Sequence, residues 1–328
     1  VTRHLIAIGK VAVAAALIWW LAASGTLDLS ALRVFWDRPA LLVATLAIFT
    51  FNNVVAALRW RLLLGLAGVT ISARRAMALQ WVGAFFNVVV PGNIGGDVLR
   101  SIYVARDVPT EQRTGVFAIL FLDRLVALAG LVVVAAVLTF APTGAVWSDP
   151  RFHQVATAIA VLVLVTLVAP IVVLLIIRRY GSRMDRWTQS TTWSGKIIGQ
   201  LVVCARLMSV RMRALLAALG LAIVIHVVGI VWFTELATAI TAQDVSVSSM
   251  ASVYPLGMLS TLLPISYAGF GVGHIAFEQL FQMVGLHGGA TVLNVYLVGL
   301  TAPCVIGAIP YLTLRREPRP QISPQPTA

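Results

Sequence analysis

Four charged residues sit among apolar ones at spacings that permit either ion pairing or headgroup chemistry: Asp97, Arg100, Asp123 and Arg124. Asp97 and Arg100 stand three apart and can share one face of a helix. They close the stretch "NVVVPGNIGGDVLRS", in which Pro91, Gly92, Gly95 and Gly96 interrupt an apolar run. Glycines there let another backbone or a ligand come close. A helix beginning near Asp97 would aim free N–H groups and its positive dipole end at an anion such as a phosphate. The plainer alternative is a tight hairpin that the glycines permit and Asp97 caps. Asp123 and Arg124 lie about ten residues into an apolar helix, where charges face a bundle interior or a cavity. They either pin helices together, Asp97 with Arg124 or Asp123 with Arg100, or present the arginines to a headgroup. A guanidinium holds five donors, so the two roles are compatible.

A second interrupted run, "LLPISYAGFGVGHIAFEQLF", spans Leu262 to Phe281 and carries Pro264, Ser266, Gly269, Gly271 and Gly273. His274 and Glu278 are four apart and share a face if the following arm is helical. They can pass a proton or form a neutral hydrogen-bonded pair. His226 and Glu235 are nine apart on an intervening apolar segment, with Glu235 near its outer end and best explained by solvent. No HExxH, phosphate-loop or nucleophile-elbow pattern occurs, and the acids and histidines are too scattered for a catalytic set.

The elements that must position these residues are hydrophobic helices. The 328-residue chain is 59% hydrophobic and 11% charged, with mean hydropathy +0.93, against about 25% charge in an ordinary soluble domain. Leu5–Ala23, Ala40–Leu58, Thr114–Ala141, Val155–Ile177, Ala214–Ile240 and Gly289–Leu314 read as six spanning helices. Ala76–Leu99 and Met250–Gly285 are each two short arms around a Gly/Pro turn and read as re-entrant hairpins. With the N-terminus inside, twenty of the 24 Lys and Arg residues, Arg59 and Arg100 among them, fall inside. Arg33, Arg38 and Arg151 fall outside, and Arg124 lies within a helix. Arg74 and Arg75 before the first hairpin and Arg106 and Arg113 after it land on one side, as the positive-inside rule requires of a hairpin. The second hairpin then dips from the outside. The expected class is an all-α polytopic membrane protein with two opposed hairpins in an inverted-repeat arrangement, which places a substrate site where the broken helices meet.

One integral domain is expected over residues 1–314, with halves of about 1–141 and 155–314, followed by a disordered cytoplasmic tail over 315–328. The first apolar run is long for a signal peptide and reads as a retained helix. The basic segment 178–213 holds Ile197, Ile198, Leu201, Val202, Ala205 and Leu207 at helical spacing. It is an amphipathic helix on the anionic inner leaflet or a loop that only sets topology. The formal charge of +12 is accounted for by such loops, not by nucleic acid. Two cysteines, Cys204 and Cys304, without metal-type spacing predict neither disulfide nor zinc site. No cofactor is expected.

Taken together, "PGNIGGDVLRSIYVAR", "FLDRLVAL" and "LLPISYAGFGVG" resemble the transmembrane domain of bacterial lysylphosphatidylglycerol synthase/flippases, over about Leu5 to Leu314. The resemblance implies a flippase-type fold that moves a modified lipid from the inner to the outer leaflet. It maps the family's motifs onto Pro91, Gly92, Gly95, Gly96, Asp97 and Arg100, onto Asp123 and Arg124, and onto Pro264, Ser266, Gly269 and Gly271. Members often carry Arg-Glu where this chain has Gly273-His274, and Glu278 follows one turn later. The aminoacyl-transferase domain of the bifunctional members does not follow Leu314, so no lipid aminoacylation is expected. The expected function is a lipid transporter of the bacterial cytoplasmic membrane, not an enzyme, with both termini cytoplasmic. Its partner is a phospholipid or glycolipid headgroup, and the sequence is compatible with a homo-oligomer. The rival expectation is a membrane-embedded enzyme or accessory subunit for lipid-linked glycosyl or acyl transfer.

Overall fold

The structure is a computed structural model that describes residues 33–89, 94–140, 212–261 and 272–313, with scattered positions between 157 and 207. Among the described residues every regular element is helical. A short α1 (Arg33–Asp37) leads into α2 (Pro39–Leu66), whose Pro39 sits in the first turn, where its missing N–H has no intrahelical partner to lose. Two shorter helices follow, α3 (Ala73–Val89) and α4 (Gly95–Asp107), and then the long α5 (Thr110–Phe140). The second half has α6 (Met212–Thr241), α7 (Val247–Thr261), α8 (Val272–Met283) and α9 (Gly289–Thr301). A 3-10 turn over Ala302–Gly307 joins α9 to α10 (Ala308–Thr313), and Pro303 within it breaks the regular ladder.

Four segments are long and apolar enough to cross a membrane: Pro39–Leu66, Thr110–Leu138, Met212–Thr241 and Gly289–Thr313. They correspond to four of the six expected spans. Leu5–Ala23 lies outside the described residues, and within Val155–Ile177 only single positions are described, all helical. Each interrupted run contains two helices, but α4 runs on to Asp107, past the expected Leu99, so Arg100, expected in a cytoplasmic segment, is a buried helical residue. Pro91, Gly92 and residues 262–271 lie outside the described residues. The tail over 315–328 does too.

One boundary differs in a way that matters. α2 continues two turns beyond Leu58 and stops at Ala67 and Gly68, the latter at φ +70°. Arg59, expected in a cytoplasmic loop, is therefore a buried helical residue. Leu62, Leu63 and Leu64 carry the apolar pattern past the charge, so burial of the helix outweighs the arginine as a terminator.

Two hydrophobic clusters organise the bundle. One gathers Trp60, Leu63 and Leu64 of α2 with Leu79, Val104, Ile119, Leu122 and Ala218. The other gathers Phe233 and Leu236 of α6 with Tyr254, Phe277, Phe281, Leu293 and Tyr296. Helices α5 and α6 pass through both in the same direction, their N-terminal halves in the first and their C-terminal halves in the second. The α3–α4 pair belongs to the first cluster and the α7–α8 pair to the second, so the two pairs sit at opposite ends of α5 and α6. In the basic segment only isolated positions are described. Val202 is buried, and Val203 and Leu207 lie against the Trp60 cluster.

Helices α5 and α6 meet at small residues: a Cβ on Gly130 would lie 2.7 Å from Cβ of Ala222. Gly130→Val is expected to destabilise the protein by about 1–3 kcal/mol through overpacking. Gly65→Ala, which meets nothing within 4 Å, serves as the neutral control. Thermal unfolding in detergent micelles compares the two.

Candidate functional site

An alternating ladder of charge, buried except at one end, joins α2, α4 and α5. Arg59 of α2 donates from Nε to Asp123 Oδ1 of α5 at 2.8 Å. Arg100 of α4 donates from Nη2 to the other oxygen of the same carboxylate, also at 2.8 Å. Arg100 also lies 3.2 Å from Asp97, and Asp97 Oδ2 accepts from Arg124 of α5 at 2.5 Å. The order is thus Arg59, Asp123, Arg100, Asp97, Arg124. Both pairings that the spacing allowed are made, and they belong to one continuous network. Away from water each of these charges alone would be costly, and alternation lets neighbours share the compensation.

α3 completes the ladder without adding charge. Gln80 Oε1 accepts a short hydrogen bond from Arg100 Nη1. Asn87 donates to Asp97 Oδ1 at 3.2 Å, while its own Oδ1 accepts from the amides of Gly96 and Asp97 at 2.8 and 3.3 Å. The Arg100 guanidinium lies over the Trp60 ring, 4.7 Å from its centroid, which adds a cation–π contact. Where α3 starts and α4 ends, Arg75 and Asp107 form a further ion pair between the two helices.

The local backbone makes this possible. Gly96 is buried, and a Cβ on it would collide with the carbonyl of Gly83. Only glycine lets α3 and α4 approach closely enough for Asn87 and Gln80 to reach across. Gly95, half-buried, is the first residue of α4. The expected N-cap role of Asp97 is corrected: α4 begins at Gly95 with Ile94 in the cap position, so Asp97 lies inside the first turn. At this helix start the Asn87 amide oxygen accepts from the Gly96 and Asp97 amides, two of the groups that the anion reading would have offered to a ligand.

Arg59, Gln80, Asn87 and Trp60 were not among the residues singled out from sequence. Arg59 was hidden because its helix was expected to end at Leu58, two turns before its actual end at Leu66. The polar pair Gln80 and Asn87, seven apart on one helical stripe, was the available signal for the other side.

The second helix pair holds no comparable ladder among the described residues. Glu278 accepts from the amides of Gly288 and Ala290 at 3.4 and 3.1 Å and so caps the start of α9. His274 lies two residues into α8 and is half-buried. Ser266, Gly269 and Gly271 lie outside the described residues. The centre of this half is aromatic, with Tyr254 and Tyr296 hydroxyls 2.9 Å apart beside Phe233. His226 Nε2 contacts the carbonyl of Ala127 at 3.3 Å, and Glu235 is exposed.

Membrane-length helices around a buried, fully alternating charge ladder define an integral membrane protein with a polar site inside its helical bundle. A family model described as the lysylphosphatidylglycerol synthase TM region matches residues 7–307, and the chain belongs to that family. No curated protein and no solved structure matches it.

Asp123 compensates two arginines, and the ladder depends on it. Asp123→Asn is expected to destabilise the protein by about 3–5 kcal/mol, since it leaves buried Arg59 without its carboxylate and Arg100 with Asp97 alone. Asp123→Glu should recover part of the loss. Melting in micelles tests this, and an unchanged transition in the Asn variant would contradict the pinning role.

Proposed function

We propose that this chain is a lipid flippase of the bacterial cytoplasmic membrane that moves an anionic or modified lipid between leaflets. The observation that carries the proposal is the accessible end of the ladder. Among the described residues it joins three guanidinium groups, Arg59, Arg100 and Arg124, to two carboxylates, Asp97 and Asp123. Arg124 is its partly exposed end. Side-chain exposure is 4% for Arg100 and 39% for Arg124. A headgroup phosphate reaching the site meets Arg124 first and can share it with Asp97, whose own charge stays compensated by Arg100. Acyl tails remain in the bilayer, so only the headgroup needs a polar path.

The site's setting fits this use. α4 and α8, with 13 and 12 residues, reach only about 20 and 18 Å, short of a hydrocarbon core of about 30 Å. The two helix pairs are read as re-entrant hairpins, α3–α4 from the cytoplasm and α7–α8 from outside. Their places at opposite ends of the parallel α5 and α6 support an inverted repeat with a gate at each face. Both termini are then cytoplasmic, and the basic segment 178–213 faces the anionic inner leaflet. The chemistry assigned is transport, with no bond made or broken. The family membership supports a lipid-related role.

Reconstitution tests the reading. Purified protein in liposomes with fluorescent, dithionite-reducible phospholipids should speed bilayer crossing over empty liposomes. Arg124→Gln should lower that rate by about 10- to 100-fold, the worth of one charge-assisted hydrogen bond, with the melting temperature nearly unchanged. Wild-type protein that accelerates no lipid class, or an Arg124→Gln variant as active as wild type, rejects the assignment.

A further inference from the structure

Helix α3 has two working faces. Ala76, Gln80, Gly83 and Asn87 turn toward α4 and the ladder, while Arg74, Met77, Ala78 and Trp81 form a stripe on another side. That second stripe and Ile306, Ile309 and Pro310 line an open groove of about 460 Å³. Its walls are apolar except at one end, where exposed Arg74 makes no ion pair among the described residues. Trp81 is held from behind by an edge contact with Phe49, ring centroids 5.4 Å apart, and Gly307 brings the 3-10 turn against the Trp81 carbonyl. The groove is therefore bounded by fixed walls.

We propose that this groove seats one acyl chain of an anionic phospholipid whose phosphate rests on Arg74. Three observations select that occupant. Arg74 to Trp81 is seven residues of helix, a depth of about 10 Å, so a chain held from its phosphate can follow the stripe inward. An apolar trough beside a membrane-length segment is filled by hydrocarbon, because water there would have no polar partners. The charged end is also the basic end of the hairpin. Exposed Arg61, Arg106 and Arg113 lie at the same ends of α2, α4 and α5 as the start of α3, and each such residue favours anionic lipid by about 1 kcal/mol. The seat stands back to back with the ladder across α3, at a separate surface. It draws on the lipid-handling reading only for the membrane setting, and it does not require transport.

Photolabelling tests it in vesicles of phosphatidylcholine and phosphatidylglycerol in equal parts, using trace probes of each lipid with a diazirine in one acyl chain. The phosphatidylglycerol probe should label peptides covering Met77–Trp81 and Ile306–Pro310 about fivefold more than the phosphatidylcholine probe. Arg74→Gln should make the two probes equal there. Ala78→Trp should fill the groove and reduce both to the labelling seen on the exposed Val43–Leu46 face of α2. Equal labelling by both probes in the wild type overturns the proposal. So does labelling of these peptides no higher than of the α2 face. Should the Trp variant fail to fold, Arg74→Gln at an exposed position decides alone. Loss of flipping with this labelling intact counts against the transport reading only, and loss of labelling with flipping intact counts against the seat only.

Discussion

A charge removed from water must find an opposite charge or distort the fold until it does. In this protein that constraint falls on five residues from three helices. Asp123 holds both Arg59 and Arg100, and Asp97 holds both Arg100 and Arg124. Loss of Asp123 would leave Arg59 without its carboxylate and Arg100 with Asp97 alone. Much of the surrounding packing is arranged around that ladder. Gly96 and Gly83 bring α3 against α4 so that Asn87 and Gln80 can satisfy what the carboxylates leave open. Trp60 supplies a flat wall under Arg100.

The two ends of the bundle solve one structural problem by different chemistry. Each must bury a broken helix pair against α5 and α6. The first end uses ionised groups and leaves one of them, Arg124, facing outward. The second uses rings: Phe233 touches Tyr254, Phe277, Phe281 and Tyr296, and one carboxylate, Glu278, caps a helix start. An aromatic centre is dry and stiff, whereas a charge ladder can exchange one partner for another of the same sign. That difference places the ionised network of the described structure in the first half of the chain.

The helical class and the positions of the broken runs were legible because hydrophobic length and Gly/Pro interruption act locally. The same holds for Asp97, Arg100, Asp123 and Arg124, since a charge inside an apolar run is conspicuous wherever it occurs. Arg59 was not legible: at the expected end of a helix, a loop arginine and a buried one look alike. The preference of a leucine-rich turn for burial, a tertiary quantity, decided between them. Asn87 and Gln80 were hidden for a related reason, since an uncharged amide in an apolar helix declares no partner.

By itself the sequence determined that the chain is an integral membrane protein built from helices, that two of its apolar runs are broken, and that four charges lie near one break. Composition, turn residues and spacing suffice for this, because each acts over a few residues. Tertiary structure decided which charge meets which. It also decided that Asn87 takes the amides at the start of α4, and that Arg124 is partly exposed while Arg100 is enclosed. Those outcomes depend on how closely separate helices approach, and a contact across 64 residues, such as Arg59 with Asp123, has no local signature.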